Sequence, residues 1–249
     1  MAARSSFYSR CGFSDLVLVV ISRHAELPNT MDAAHDAAAD GAPHGTTIQA
    51  DRQVAGRGTR GRSWESAPGG LWLSVVTRPA RTDALEALSI RIGLSLARAL
   101  ELSCPGLPPL AMKWPNDLLL EGGKVAGILC EARWNGDACQ WVAIGVGVNV
   151  SNTLPSVLGA RTIESAVRPV HVSELAEPVA VAIAMAASDA GPLTPAELAE
   201  FDGRDALRGQ RATAPVEGTI DGITRRGALR VRGGDGRIST VLGGLRVAH

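Results

Sequence analysis

Leu118–Val150 reads LLLEGGKVAGILCEARWNGDACQWVAIGVGVNV, and it decides the fold class. Three apolar, strand-like segments, Leu118–Leu120, Lys124–Arg133 and Cys139–Val150, are separated by Gly122-Gly123 and Asn135-Gly136-Asp137. Both separators are hairpin turn signals. The stretch is therefore an antiparallel meander and not a parallel strand–helix–strand repeat.

Outward from it, Leu16–Ile21, Thr46–Ala50 and Gly70–Thr77 read as strands, and Thr30–Ala39 as an Ala-rich helix ended by Gly41 and Pro43. Thr82–Leu102 is the clearest helix. Thr82 is its candidate cap, with Leu85, Leu88, Ile92, Leu96 and Leu100 on one face. His171–Ser188 and Pro195–Phe201 are further helical candidates. Beyond Leu207 the texture changes to short strands between Gly turns: Arg211–Ala214, Gly218–Ile223, Leu229–Val231 and Ile238–Val241. That suggests a small β-barrel module, with a boundary near Gly203. Residues 1–12 carry no clear pattern and read as a tail.

The 249 residues suffice for one large domain plus a small module. Lys+Arg and Asp+Glu both total 25, so no overall basic field for nucleic acid exists. The four cysteines, Cys11, Cys104, Cys130 and Cys139, form no CxxC pair; Cys130 and Cys139 could face each other across a hairpin, but free thiols fit better. No apolar run reaches membrane length, and no signal peptide precedes the first strand. The expectation is a reduced, cytoplasmic protein.

Four constellations carry chemistry. Gly56-Arg57-Gly58-Thr59-Arg60-Gly61-Arg62-Ser63-Trp64 combines glycines, which let backbone N–H groups approach an anion, with three arginines suited to phosphate. An RGG-like nucleic-acid segment would be repetitive, whereas this loop lies between two strands. Lys113-Trp114-Pro115-Asn116-Asp117 reads as a stiff, extended segment that presents a carboxylate; by itself Asp117 would more simply cap a turn. Lys124 starts a strand, where its ammonium could stabilise a developing negative charge, and Gly127 hints at close backbone approach. Gly145-Val146-Gly147-Val148-Asn149 leaves room on one face for a flat ligand, with the Asn149 amide able to pair with a base edge. Rossmann and Walker A patterns are absent from the sequence.

In this order the four pieces resemble the biotin protein ligase family, over about Asn29 to Val150, with a weaker likeness beyond Gly203. The resemblance implies an α+β fold: a mixed, largely antiparallel sheet packed with helices in a class II synthetase-like catalytic domain (1–202), plus a C-terminal SH3-like β-barrel (203–249). It implies biotin and ATP as substrates with Mg2+, and transfer through biotinyl-5′-AMP to a lysine of a biotin carboxyl carrier domain. The metal ligands stay unassigned. Carried over by position, Lys124, Asp117 and Arg57 act in catalysis. Asn29, Thr30, Met31, Gln53, Gly56, Arg57, Gly58, Thr59, Lys124 and Gly127 lie beside biotin or its adenylate. Arg60, Arg62, Trp64 and Asn149 hold the nucleotide.

Two positions depart from the family pattern. Asn29 stands where Ser is usual, and Thr59 where a further arginine is common, so adenylate retention is expected to differ at Thr59. The residues before Asn29 leave no room for the DNA-binding domain of bifunctional relatives, so the expectation is a monofunctional ligase with no nucleic-acid or membrane partner. An exposed sheet edge would permit a homodimer. A lipoate ligase, a nucleic-acid-binding module and a non-catalytic biotin-responsive regulator are the competing readings.

Overall fold

The computed structural model describes residues 3–11, 15–154 and 159–247, and side chains from Val17 onward. Among these residues the strands are β1 (Ala3–Cys11), β2 (Asp15–Leu27), β3 (Thr46–Gln53), β4 (Leu71–Thr77), β5 (Ala111–Lys113), β6 (Asp117–Leu120), β7 (Gly123–Asn135) and β8 (Ala138–Val148), followed by β9 (Arg211–Ala214), β10 (Gly218–Ile223), β11 (Leu229–Arg232), β12 (Ile238–Val241) and β13 (Arg246–Val247). The helices are α1 (Thr30–Ala39), α2 (Leu88–Ser103), α3 (Val172–Ala186) and α4 (Pro195–Arg204).

The first eight strands form one sheet in the order β1-β2-β3-β4-β8-β7-β6-β5. Its described pairs are antiparallel except β2–β3, which is parallel across α1. The meander is β6–β7–β8, turned at Gly122 and Gly136, both with positive φ. Strand alternation sorts side chains onto two faces. On β8, Val142, Ile144, Val146 and Val148 join the main core with Leu71, Leu73 and Val75 of β4. The opposite face carries Ala143, Gly145 and Gly147, and there α1 lays Met31, Ala34 and Ala38 against Ile48 and Val76. Leu88, Ile92, Leu96 and Leu100 of α2 are fully buried in the main core, with α3 beside them.

The second sheet has the order β12-β11-β10-β9-β13. Its Ala212, Ile220, Leu229 and Val231 merge with the main core. Trp114 Nε1 reaches across to donate to Gly227 O at 2.8 Å. Arg204, in the last turn of α4, pairs with Glu101 at 2.6 Å, close to where the second sheet begins. Gly203 lies inside α4, one residue before its end.

Three sequence expectations need correction. Residues 3–11 are a strand, paired in continuous register with β2, and not a tail. The long helix starts at Leu88, not Thr82, after a single 3-10 turn at Leu85–Ala87. The reason is that Ala80, Arg81 and Ala84 spend their backbone groups on Ser188 and Ala190, beyond α3. Residues 113–117 form a turn and not an extended run, because Lys113 and Asp117 are paired across the β5–β6 hairpin. The expectation of free thiols at Cys130 and Cys139 holds: Cys130 opposes Ile144 and Cys139 opposes Trp134, so the two do not face each other. Both are free thiols, and burial pushes Cys130 up to about 12.

Candidate functional site

The α1 face of the sheet holds a cavity of about 610 Å³. Three segments build its walls: the N-terminus of α1, the Gly56–Trp64 loop, and the β5–β6 turn with the start of β7. Its floor is the glycine-bearing face of β7 and β8, where Gly127 and Gly147 are direct cross-strand partners.

At the α1 end, Asn29 caps the helix by accepting from Asp32 N at 2.7 Å. Gln53 Oε1 accepts from Thr30 N at 2.7 Å, while its Nε2 donates to Ser66 Oγ at 2.7 Å. Thr30 Oγ1 also shares a hydrogen bond with Ser74 Oγ at 2.8 Å. These bonds fasten α1, β3, β4 and the loop together. Met31 enters over Gly145, where a Cβ would fall 2.6 Å from the thioether sulfur. Gly145 is therefore small to admit Met31.

The Gly/Arg loop is closed on itself. Trp64 N donates to Gly56 O at 2.9 Å, and Gly58 N donates to Arg62 O at 2.7 Å. Gly56 has to be glycine, since a Cβ would lie 2.3 Å from Trp64 O. Thr59 holds Arg62: the guanidinium donates to the Thr59 hydroxyl at 3.1 Å and to its carbonyl at 3.3 Å. Arg60 takes a left-handed backbone (φ 61°), and its guanidinium lies against Gly244 of the second sheet's final segment.

The Trp64 indole lies across the floor. A Cβ at Gly127 would meet its ring at 2.8 Å, and one at Gly147 at 2.7 Å. The slot that the β8 glycines leave is thus filled by Trp64 and Met31 and is not open for a flat ligand. Trp64 Nε1 is shielded from solvent with no hydrogen-bond partner among the described residues. Lys124 Nζ sits 4.8 Å from the Trp64 ring centroid and 2.6 Å from Asp117 Oδ1. Asn116 anchors the turn by donating to Ile128 O at 2.7 Å. Asn149, 6 % exposed, donates to the Lys124 carbonyl at 3.5 Å and accepts from Asn152 at 3.3 Å.

The cavity thus gathers Asn29, Thr30, Met31, Gln53, Arg57, Gly58, Thr59, Arg62, Trp64, Asp117, Lys124, Gly127 and Asn149. Gly56 and Arg60 fall outside its lining: Gly56 forms the root of the loop, and Arg60 turns toward the second sheet. Sequence reasoning missed Asp32 and Glu131, which lie 2.7 Å and 3.6 Å from Arg57. Strand alternation from Gly127 would have placed Glu131 on the cavity face. Chemically, the site offers an apolar slot beside Met31, a cationic wall of Arg57, Arg62 and Lys124, and a carboxylate at Asp117. Such a wall suits an anion held next to an apolar group.

The biotin/lipoate A/B protein ligase family matches residues 25–149. A "Biotin--[acetyl-CoA-carboxylase] ligase" of Paracoccus denitrificans is 38% identical over a 207-residue alignment that covers 76% of this chain and 85% of that protein. A "Bifunctional ligase/repressor BirA" of Bacillus subtilis is 36% identical over 136 residues, 51% of this chain but only 39% of that protein. Among solved structures, the Aquifex aeolicus biotin protein ligase in complex with biotin and ATP superposes with a TM-score of 0.76 at 25% identity, covering 92% of this chain and 99% of that one. The Leishmania major biotin protein ligase in complex with biotinyl-5-AMP gives 0.62 at 25% identity, covering 90% and 98%.

Proposed function

The chain belongs to the biotin/lipoate A/B protein ligase family, and from that premise we propose that it is a biotin–protein ligase. It forms biotinyl-5′-AMP from biotin and ATP and transfers the biotinyl group to a lysine of a biotin carboxyl carrier domain. The observation that carries this reading is the convergence of Arg57, Arg62, Lys124 and Asp117 on one cavity whose other end is apolar.

In the first step, a biotin carboxylate oxygen attacks the α-phosphorus of ATP, and the bond to pyrophosphate breaks. Negative charge grows on the phosphoryl oxygens, and Arg57, Arg62 and Lys124 are the cavity-lining cations that hold it. Thr59 adds no charge of its own; it fixes Arg62 on the loop. In the second step, the acceptor amine attacks the carbonyl of the mixed anhydride, and AMP leaves. A free lysine has a pKa of about 10.4 and is mostly protonated near neutrality. Asp117 orients that ammonium and accepts its proton. Lys124, released from Asp117 when an anion enters, stabilises charge on the carbonyl and phosphate oxygens.

Among the described residues no group of three His, Cys, Asp or Glu is placed to hold a metal ion. A Mg2+ would arrive with the ATP phosphates, and no protein ligand for it is assigned. It would neutralise the departing pyrophosphate. Residues 203–249, with the second sheet, we assign to an SH3-like module appended to the catalytic domain. No helix among the described residues is long and apolar enough to cross a membrane.

Incubation with ATP, Mg2+ and either biotin or lipoate, in the presence of both types of carrier domain, tests the assignment. Carrier labelled only with biotin is the expected result. Labelling only with lipoate would overturn it.

A further inference from the structure

Arg57 is not a lone cation at the cavity mouth. Its Nη2 lies 2.7 Å from Asp32 Oδ1 and 3.6 Å from Glu131 Oε2. The two carboxylates come from different elements. Asp32 is in the first turn of α1, and its backbone is tied to Asn29. Glu131 is on β7, on the same face as Gly127 and Leu129.

The Glu131 carboxylate is itself held from behind. His35 Nε2 lies 3.0 Å from Glu131 Oε2, and Trp141 Nε1 lies 3.0 Å from His35 Nδ1. An indole N–H can only donate, so His35 Nδ1 must accept. The imidazole is therefore neutral, with its hydrogen on Nε2, and it donates to Glu131. The charged groups around this ring are Glu131, Arg57 and Arg133, and burial holds its pKa below the usual histidine range. The chain runs Trp141 to His35 to Glu131 to Arg57, with Asp32 closing on the guanidinium from the other side.

We propose that Asp32 and Glu131 form a carboxylate clamp that positions the Arg57 guanidinium for adenylate formation, with the His35–Trp141 pair fixing where Glu131 stands. Asp32 and Glu131 are then positioning residues and not catalytic ones. The inference rests on the assignment of Arg57 to the adenylate site under Proposed function. The physical need is plain. Arg57 has a long side chain and is flanked by Gly56 and Gly58, so the loop alone does little to aim it. Two anchors on the rigid sheet and helix remove that freedom. The clamp also places two negative charges beside the cation. It therefore acts against raw anion affinity, and its benefit has to appear in the rate of the chemical step.

Biotin-dependent exchange of labelled pyrophosphate into ATP reads the first half-reaction, and a double-mutant cycle tests the coupling. Glu131→Ala is expected to lower kcat about ten- to a hundredfold, the scale of a displaced reacting group, with KM for ATP changed far less. Glu131→Gln, which keeps one acceptor oxygen that His35 and Arg57 can share as they share Glu131 Oε2, should restore most of the rate. The double variant Arg57→Ala/Glu131→Ala should be no slower than Arg57→Ala alone. Should Glu131→Ala fail to fold, Asp32→Asn with Arg57→Ala forms the same cycle, with the thermal midpoint as the folding control. Unchanged kcat in Glu131→Ala, or losses that multiply in the double variant, would overturn the clamp. Wild-type exchange by Arg57→Ala would instead overturn the site assignment beneath it.

Discussion

Replacing Gly147 with alanine should disable the nucleotide end of the cavity while leaving the fold intact. The added Cβ would sit 2.7 Å from Trp64 Cε2 and Nε1 and 3.0 Å from Cζ2. Unstrained carbon contacts lie at about 3.5–4.0 Å, so the indole must retreat by about 1 Å. β8 cannot yield in its place, because β4 and β7 flank it on both sides. Overpacking of this kind costs about 1–3 kcal/mol in a closed core. Trp64 is on a loop and only half-buried, so the stability loss should fall at the low end of that range. The functional loss should be larger. A shift of about 1 Å in a positioning group can cost on the order of 10²-fold in rate, and the moving ring sits 4.8 Å from the Lys124 ammonium. Pyrophosphate exchange at varied ATP is the assay, with thermal denaturation alongside. In a Trp64→Ala background the Gly147→Ala change should be nearly silent, since nothing remains to collide with it. Wild-type kinetics in Gly147→Ala, or losses that simply add in the double variant, would refute this account of why residue 147 is glycine.

Other outcomes follow from the same geometry. Lys124→Ala should cut biotinylation by at least ~10²-fold, as expected for a lost preorganised charge; activity near wild type would remove Lys124 from the mechanism. Trp114→Phe leaves the Gly227 carbonyl without its buried donor. That should cost about 1–3 kcal/mol, a fall of roughly 2–12 °C in Tm for a chain of this size, and an unchanged Tm would show the contact to be dispensable. His35 and His44 each accept at Nδ1 and donate at Nε2, and burial lowers the pKa of both. The unfolded chain therefore takes up protons from about pH 6.5 downward that the folded chain refuses, so stability should fall as pH drops below about 6.5 and level off below the folded-state values. Urea midpoints at pH 7.5 and 5.5 check this, and equal midpoints would contradict it.

The sequence by itself made several local elements legible and named many of the residues that line the cavity. α1 was legible to the residue at Thr30–Ala39, because an Ala-rich run ended by Gly41 is a local signal. The β6–β7–β8 meander was legible to within two residues at its strand ends, because alternation and the turn glycines act within a few residues of each other. The ordered motifs sufficed to gather most of the cavity wall. Tertiary structure alone decided what those residues touch. β1 has no pattern of its own and exists by pairing with β2. The start of α2 is set by backbone bonds to residues beyond α3. The β8 glycines read as space for a ligand, and the fold fills that space with Trp64 and Met31. Arg57 read as a residue beside the adenylate, and only the fold showed its carboxylate partners, Asp32 and Glu131. The physical reason is one of range. Periodicity, capping and turn chemistry are settled between near neighbours, whereas the occupant of a gap or the partner of a charge comes from wherever the chain returns in space.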